Sequence, residues 1–167
     1  SATHTFSIAS GGKLNLTGGN QSIIPFSTTG NVYNLNAGST VEYSSAAVDS
    51  VETGLSYSNL TISGSGNKCA RRGNISVGNI FTLASANFSQ YVAPNYYTVN
   101  IAAGGTLTGN GGNFAAGNPG GTLNFVGAGT INGTTALSFN ILKINTGTVT
   151  NTLNNSTCDT LNLTGGT

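Results

Sequence analysis

Apolar residues alternate with small polar ones along most of the chain. Phe6/Ile8, Leu14/Leu16, Tyr33/Leu35, Val41/Tyr43, Leu60/Ile62, Ile75/Val77, Val99/Ile101, Leu123/Phe125, Leu142/Ile144 and Leu161/Leu163 are all spaced two apart. Successive side chains of a strand point to opposite faces, so this period predicts short strands with one buried side. Thr and Asn hold the outward positions. Paired glycines and Asn-Gly steps end the strands, at Gly11-Gly12, Gly104-Gly105, Gly120-Gly121 and Asn132-Gly133. These read as turns. Helix signals are weak, and one all-β domain over residues 1–167 is expected.

The strands echo one another. Leu14/Leu16 recur as Tyr33/Leu35 nineteen residues on, and Val41/Tyr43 recur as Leu60/Ile62. Leu123/Phe125 recur as Leu142/Ile144 and then as Leu161/Leu163. A second phrase joins neighbouring strands: "IAAGGTL" at 101, "FVGAGTI" at 125, "INTGTV" at 144 and "LTGGT" at 163. A fixed period suggests one structural unit per repeat. Coils of about 19 residues predict a β-solenoid, a parallel β-helix-like stack with strands spaced about 4.8 Å apart. About eight coils give a rod roughly 40 Å long at that spacing. The period breaks at 84–97 and 109–121, which read as loop insertions. The alternative is an antiparallel β-sandwich or jelly roll, whose short strands and regular turns look similar.

Composition narrows the function. Only 5% of residues are charged and the net charge is +1. Phosphate backbones are bound mainly by clustered Lys and Arg. The only adjacent basic pair is Arg71-Arg72, so no nucleic-acid partner is expected. No apolar run approaches the roughly 20 residues of a membrane-spanning helix. The chain begins at Ser1 and contains no Met, so any leader peptide is expected to have been removed or to lie outside this sequence. Cys69 and Cys158 are candidates for a disulfide in an oxidising compartment, and equally for two unpaired thiols. Asn15, Asn59, Asn74 and Asn87 head Asn-x-Ser/Thr triplets and are candidate glycosylation sites. A chain this rich in Asn, Ser and Thr also produces such triplets by composition alone.

"GSTVEYSSAAVDSV", "YSNLTISGSGNK" and "GNISVGNIFTLAS", together residues 38–85, resemble the repeats of large secreted surface proteins of Bacteroidetes. The resemblance implies export, often by type IX secretion, and an extracellular or cell-surface β-solenoid stalk or adhesin. The chain departs from the family phrase at "CARRG", residues 69–73, where a Thr-Leu continuation is usual.

Candidate chemistry is sparse. "GSGNK" at 64–68 lacks the spacing of a phosphate-binding P-loop and no helix pattern follows it, so it reads as a turn. Glu42, Asp49, Glu52 and Asp159 are the four acids. Glu42 or Asp49 meeting Glu52 across a turn, with Lys68, Arg71 and Arg72 nearby, is the arrangement a polysaccharide-cleaving β-helix needs. Three acids on one corner are more often solvated. Cys69 with the lone His4 is a remote nucleophile–base pair. No zinc spacing is present and the acids are too few for a calcium site, so neither metal nor cofactor is expected. Tyr91, Tyr96 and Tyr97, with Phe88, cluster in the first insertion and are candidates to contact a glycan or protein partner. The expected function is non-enzymatic: an extracellular stalk or filament subunit, joined through terminal strands to copies of itself or to adjacent domains. The alternatives are a carbohydrate-binding module and, below it, a polysaccharide-cleaving enzyme.

Overall fold

The computed structural model describes residues 4–18, 30–71, 73–115 and 120–165. The described residues form strands joined by turns, bends and irregular segments, and none of them is helical. The strands are β1 (Thr5–Ile8), β2 (Lys13–Leu16), β3 (Val32–Leu35), β4 (Thr40–Tyr43), β5 (Asp49–Val51), β6 (Ser56–Ile62), β7 (Lys68–Ala70), β8 (Ile75–Leu83) and β9 (Phe88–Ser89). They continue with β10 (Tyr91–Val92), β11 (Asn95–Tyr96), β12 (Thr98–Ile101), β13 (Thr106–Gly109), β14 (Thr122–Phe125), β15 (Gly129–Gly133), β16 (Ser138–Ile144), β17 (Val149–Asn151) and β18 (Thr157–Leu163).

All ladders but the β10–β11 pair are parallel, which makes the molecule a β-solenoid with three faces. The second face is an unbroken ladder through β2, β4, the end of β6, the end of β8, β13, β15 and β17. The first face carries β1–β3 as a separate two-stranded sheet. It then resumes through the start of β6, the start of β8, β12, β14, β16 and β18. The third face is β5–β7–β9, extended by a bridge from Phe88 to Phe114 and by Phe139 paired with Cys158. There are about six turns with coils of roughly 21 residues, fewer and longer than the expected eight of 19.

The uneven coil length explains the broken period. Nineteen residues separate Val41 from Leu60, and Leu123 from Leu142 and then Leu161. Val99 and Leu123 are 24 apart. Leu14 and Leu16 stack on Val41 and Tyr43, not on Tyr33 and Leu35, which instead cover Phe6 and Ile8. That echo was a coincidence between two faces, because every face shows the same alternation. The 84–97 and 109–121 stretches are also more than insertions. Phe88 and Phe114 in them are buried and continue the third face.

Inward residues of all three faces form one core, including Leu60, Ile62, Phe81, Leu107, Phe125 and Ile131. One coil cannot bury its own inward side, so stacking creates the core. Burying each large side chain stabilises by about 1.5–3 kcal/mol. The corner phrases stack as well: Val126 N–H donates to Ile101 C=O at 2.9 Å, and Asn145 N–H to Phe125 C=O at 3.0 Å. The Gly64-Ser65-Gly66 corner lies directly on Ser44–Ala47 of the coil before. A Cβ on Gly64 would overlap the Ser45 carbonyl, and one on Gly66 the Ala47 carbonyl. Gly64 also has φ +80°, a conformation open to glycine at no Cβ penalty. The "GSGNK" turn is therefore a rung corner.

Candidate functional site

The most exposed aromatic group lies where the third face returns to the first. After β9 the chain makes a small antiparallel hairpin, β10–β11, with Tyr91 opposite Tyr96 and Val92 opposite Asn95. Its turn holds a cis Ala93–Pro94 peptide. The two rings sit 4.8 Å apart at 32°, with Tyr91 37% and Tyr96 44% exposed. Cross-strand aromatic pairs of this kind stabilise each other by about 0.2–1 kcal/mol.

The hairpin is anchored to the wall of the solenoid. Buried Gln90 donates from Nε2 to the Thr122 carbonyl at 2.5 Å, and its own carbonyl accepts Tyr97 N–H at 2.8 Å. Tyr91 N–H donates to Ser89 Oγ at 3.2 Å. Gly120 and Gly121 let the next coil approach. A Cβ on Gly120 would sit 2.5 Å from Tyr96 Cγ, and one on Gly121 2.8 Å from Gln90 Oε1. Gln90 was not singled out from the sequence, and Gly120-Gly121 was read there only as a turn. The contact joins residues about 30 apart, and a Gly-Gly step reads locally as a turn only. Tyr97 does not join the pair: it is half-buried and packs against the core, as Phe88 does within it.

The acids are dispersed. Glu42 lies on the outside of the second face, where it pairs with Lys13 and accepts a hydrogen bond from Ser63 Oγ at 2.5 Å. Partial burial pushes its carboxyl up, but Lys13 and Ser63 outweigh that and hold it below the ordinary value. Glu52 pairs with Arg71 at 2.6 Å. Asp49 is 1% exposed, accepts from Ser45 Oγ through Oδ2, and has no partner for Oδ1 among the described residues. Asp159 is exposed on β18. Arg72 lies outside the described residues. His4, beside β1, and Cys69, on the third face two coils later, are on different faces.

Two buried polar clusters were not foreseen. Lys68 is fully buried and donates to the carbonyls of Ser45 (3.0 Å), Ala47 (3.2 Å) and Gly66 (2.5 Å). Burial lowers its pKa, and the nearby Asp49 charge opposes that shift. Asp49 and Lys68 are register partners on adjacent rungs. In the second cluster, Glu52 N–H donates to Tyr43 Oη (3.0 Å) and Tyr57 Oη donates to the Glu52 carbonyl (2.8 Å). The two hydroxyls lie 3.2 Å apart, so Tyr43 donates to Tyr57 and a closed ring results. Burial pushes the Tyr43 phenol up to about 12 and Tyr57 well above its ordinary value.

The cysteines are free thiols. Cys69 pairs with Ser89 one rung on, and the rungs of Phe114 and Phe139 intervene before Cys158. Four rung spacings are about 19 Å, whereas a disulfide needs Cα atoms within about 7 Å. The candidate intramolecular disulfide is thus corrected. Among the candidate glycosylation sites, Asn15, Asn74 and Asn87 are exposed. Asn59 is half-buried and accepts from Asn79 Nδ2 at 2.9 Å within a side-chain ladder. Among the described residues, no three His, Cys, Asp or Glu side chains converge.

The chain matches no protein-family model, no curated protein and no solved structure.

Proposed function

We propose that this chain is a non-enzymatic structural protein of the cell surface or extracellular space, a stalk segment or filament subunit stacked end to end. One observation carries the reading. On β18, Leu161 and Leu163 occupy the inward register of the first face, yet are 52% and 51% exposed. With Leu142, Ile144 and Val149 they line an apolar cavity of about 270 Å³. A further rung with the same alternation would cover it, through the unpaired edge of β18. A continuation of the chain, an adjacent domain or a second copy would each supply such a rung. Low charge removes repulsion between stacked coils, and the separation of the acids favours a non-catalytic role. The resemblance of residues 38–85 to secreted Bacteroidetes surface repeats supports the location.

Electron microscopy and sedimentation across a wide concentration range test end-to-end stacking of copies. Rods longer than one chain are expected, shortened by Leu161→Lys. Dispersed monomers at every concentration would overturn self-assembly. A second reading, contact with glycans, is favoured by the exposed Tyr91/Tyr96 pair. Glycan-array binding that is lost in Tyr96→Ala supports it, and binding unchanged by that substitution refutes it.

A further inference from the structure

The three faces do not stack equally well. On the second face β4 pairs with β6 in full register, Thr40 to Asn59 through Tyr43 to Ile62. On the first face the corresponding strands part: among the described residues β3 pairs only with β1, and the start of β6 pairs only with β8. The opening narrows at the corner, where Gly38 N–H donates to Ser58 Oγ at 2.8 Å. The result is a cleft of about 470 Å³ lined by Asn31, Asn34, Asn36, Ser56, Gly54 and the apolar Tyr33, Leu35 and Leu55. Its volume falls within the roughly 300–1,000 Å³ of small-ligand sites.

We infer that this cleft binds an uncharged saccharide. Carboxamides both donate and accept, matching sugar hydroxyls. Asn36 lines the cleft beside Asn31 and Asn34, whose side chains also bond the β1 side, Asn31 Oδ1 accepting from His4 N–H at 3.3 Å and Asn34 Nδ2 donating to Ser7 Oγ at 3.4 Å. Tyr33 and Leu55 supply an apolar surface for a sugar's C–H face. Among the described residues no charged side chain lines the cleft, so an ionic ligand meets no counter-charge from them. An extended peptide fits less well. In a ladder every second side chain points inward, and the inward space at this level is already filled by Tyr33, Leu35, Leu55, Tyr43 and Tyr57. A sugar needs no such space. The site is separate from the Tyr91/Tyr96 hairpin and does not depend on end-to-end stacking.

The test is calorimetric titration of the chain with cellohexaose, mannohexaose, xylohexaose and maltohexaose, with polygalacturonate and an uncharged Ser/Thr-rich pentapeptide as rival ligands. At least one neutral oligosaccharide is expected to bind. Leu55→Trp, which fills the cleft, and Asn36→Ala, an exposed position that leaves folding intact, should each weaken that binding at least about tenfold. Tyr96→Ala should leave it unchanged. The inference is overturned if none of the four sugars binds, if binding survives Asn36→Ala, if only Tyr96→Ala abolishes it, or if the polyanion or the peptide binds in their place.

Discussion

The third face presents the same inward column to two different interiors. In the coils of β5 and β7 the column is Asp49 and then Lys68, beside the Tyr43–Tyr57–Glu52 ring. In the next three coils it is Phe88, Phe114 and Phe139, packed ring to ring at 5.6–6.4 Å with Phe81 alongside. The backbone stack tolerates both. In the polar coils, the corner carbonyls of Ser45, Ala47 and Gly66 hold the ammonium, and the Glu52 peptide satisfies the phenols. In the aromatic coils, area burial and edge-to-face contact suffice. A solenoid core is therefore specified by satisfaction within each rung and its neighbour, and does not demand uniform apolarity.

The comparison can be broken at either end. Lys68→Ala and Phe88→Ala should each cost about 3–5 kcal/mol, the first by stranding buried carbonyls and Asp49, the second by opening a cavity. They should differ in rescue. Adding Asp49→Leu to Lys68→Met should restore only the part lost by stranding the Asp49 charge, since the carbonyls of Ser45, Ala47 and Gly66 stay without their donor. Chemical denaturation measures all of these, and a double variant no more stable than Lys68→Ala would show the charges to be indispensable.

Alkali should act on the polar coils alone. Tyr43 has its pKa raised to about 12, so its contribution is complete below pH 10 and is lost as pH rises. By pH 12 the loss from Tyr43 is about 2–3 kcal/mol, with Tyr57 adding to it. Lys68 has the opposite sign. Its pKa is lowered, so the cost of burying the charge is present at low pH and is relieved as pH rises towards the unfolded value of 10.5. Stability should therefore rise gently and then fall above pH 10. Absorbance titration of Tyr→Phe variants should show Tyr43 and Tyr57 ionising well above the ordinary phenol value, and ionisation of either near pH 10 would refute the ring.

A smaller effect is expected of Tyr43→Phe. It leaves the Glu52 N–H without its acceptor, at a cost of about 1–2 kcal/mol by thermal denaturation. The smallest is Tyr96→Ala, whose ring is largely outside the core. Its stability should change by no more than about 1 kcal/mol, the upper value for a cross-strand aromatic pair, so any loss of glycan binding there reads as lost contact and not as unfolding.

The chain by itself determined the class of fold and much of its stacking. Alternation with period two sets which side of a strand is buried. The 19-residue echo is real wherever the corners have constant length, from Val41 to Leu60 and from Leu123 through Leu142 to Leu161. The Gly64–Gly66 corner was also legible, since its spacing is not that of a P-loop and no helix pattern follows it. Only the tertiary structure decided which face a strand joins, because all three faces share one alternation and differ only in the lengths between them. That is why Leu14/Leu16 matched Tyr33/Leu35 in sequence but not in space. It also decided that Lys68 and Asp49 point inward, where the Lys68 ammonium donates to the Ser45, Ala47 and Gly66 carbonyls and Asp49 accepts from Ser45 Oγ. The tyrosines separated for the same reason. Tyr91 and Tyr96 face outward because a hairpin pairs them, whereas Tyr97 is drawn to the core by the coil that follows.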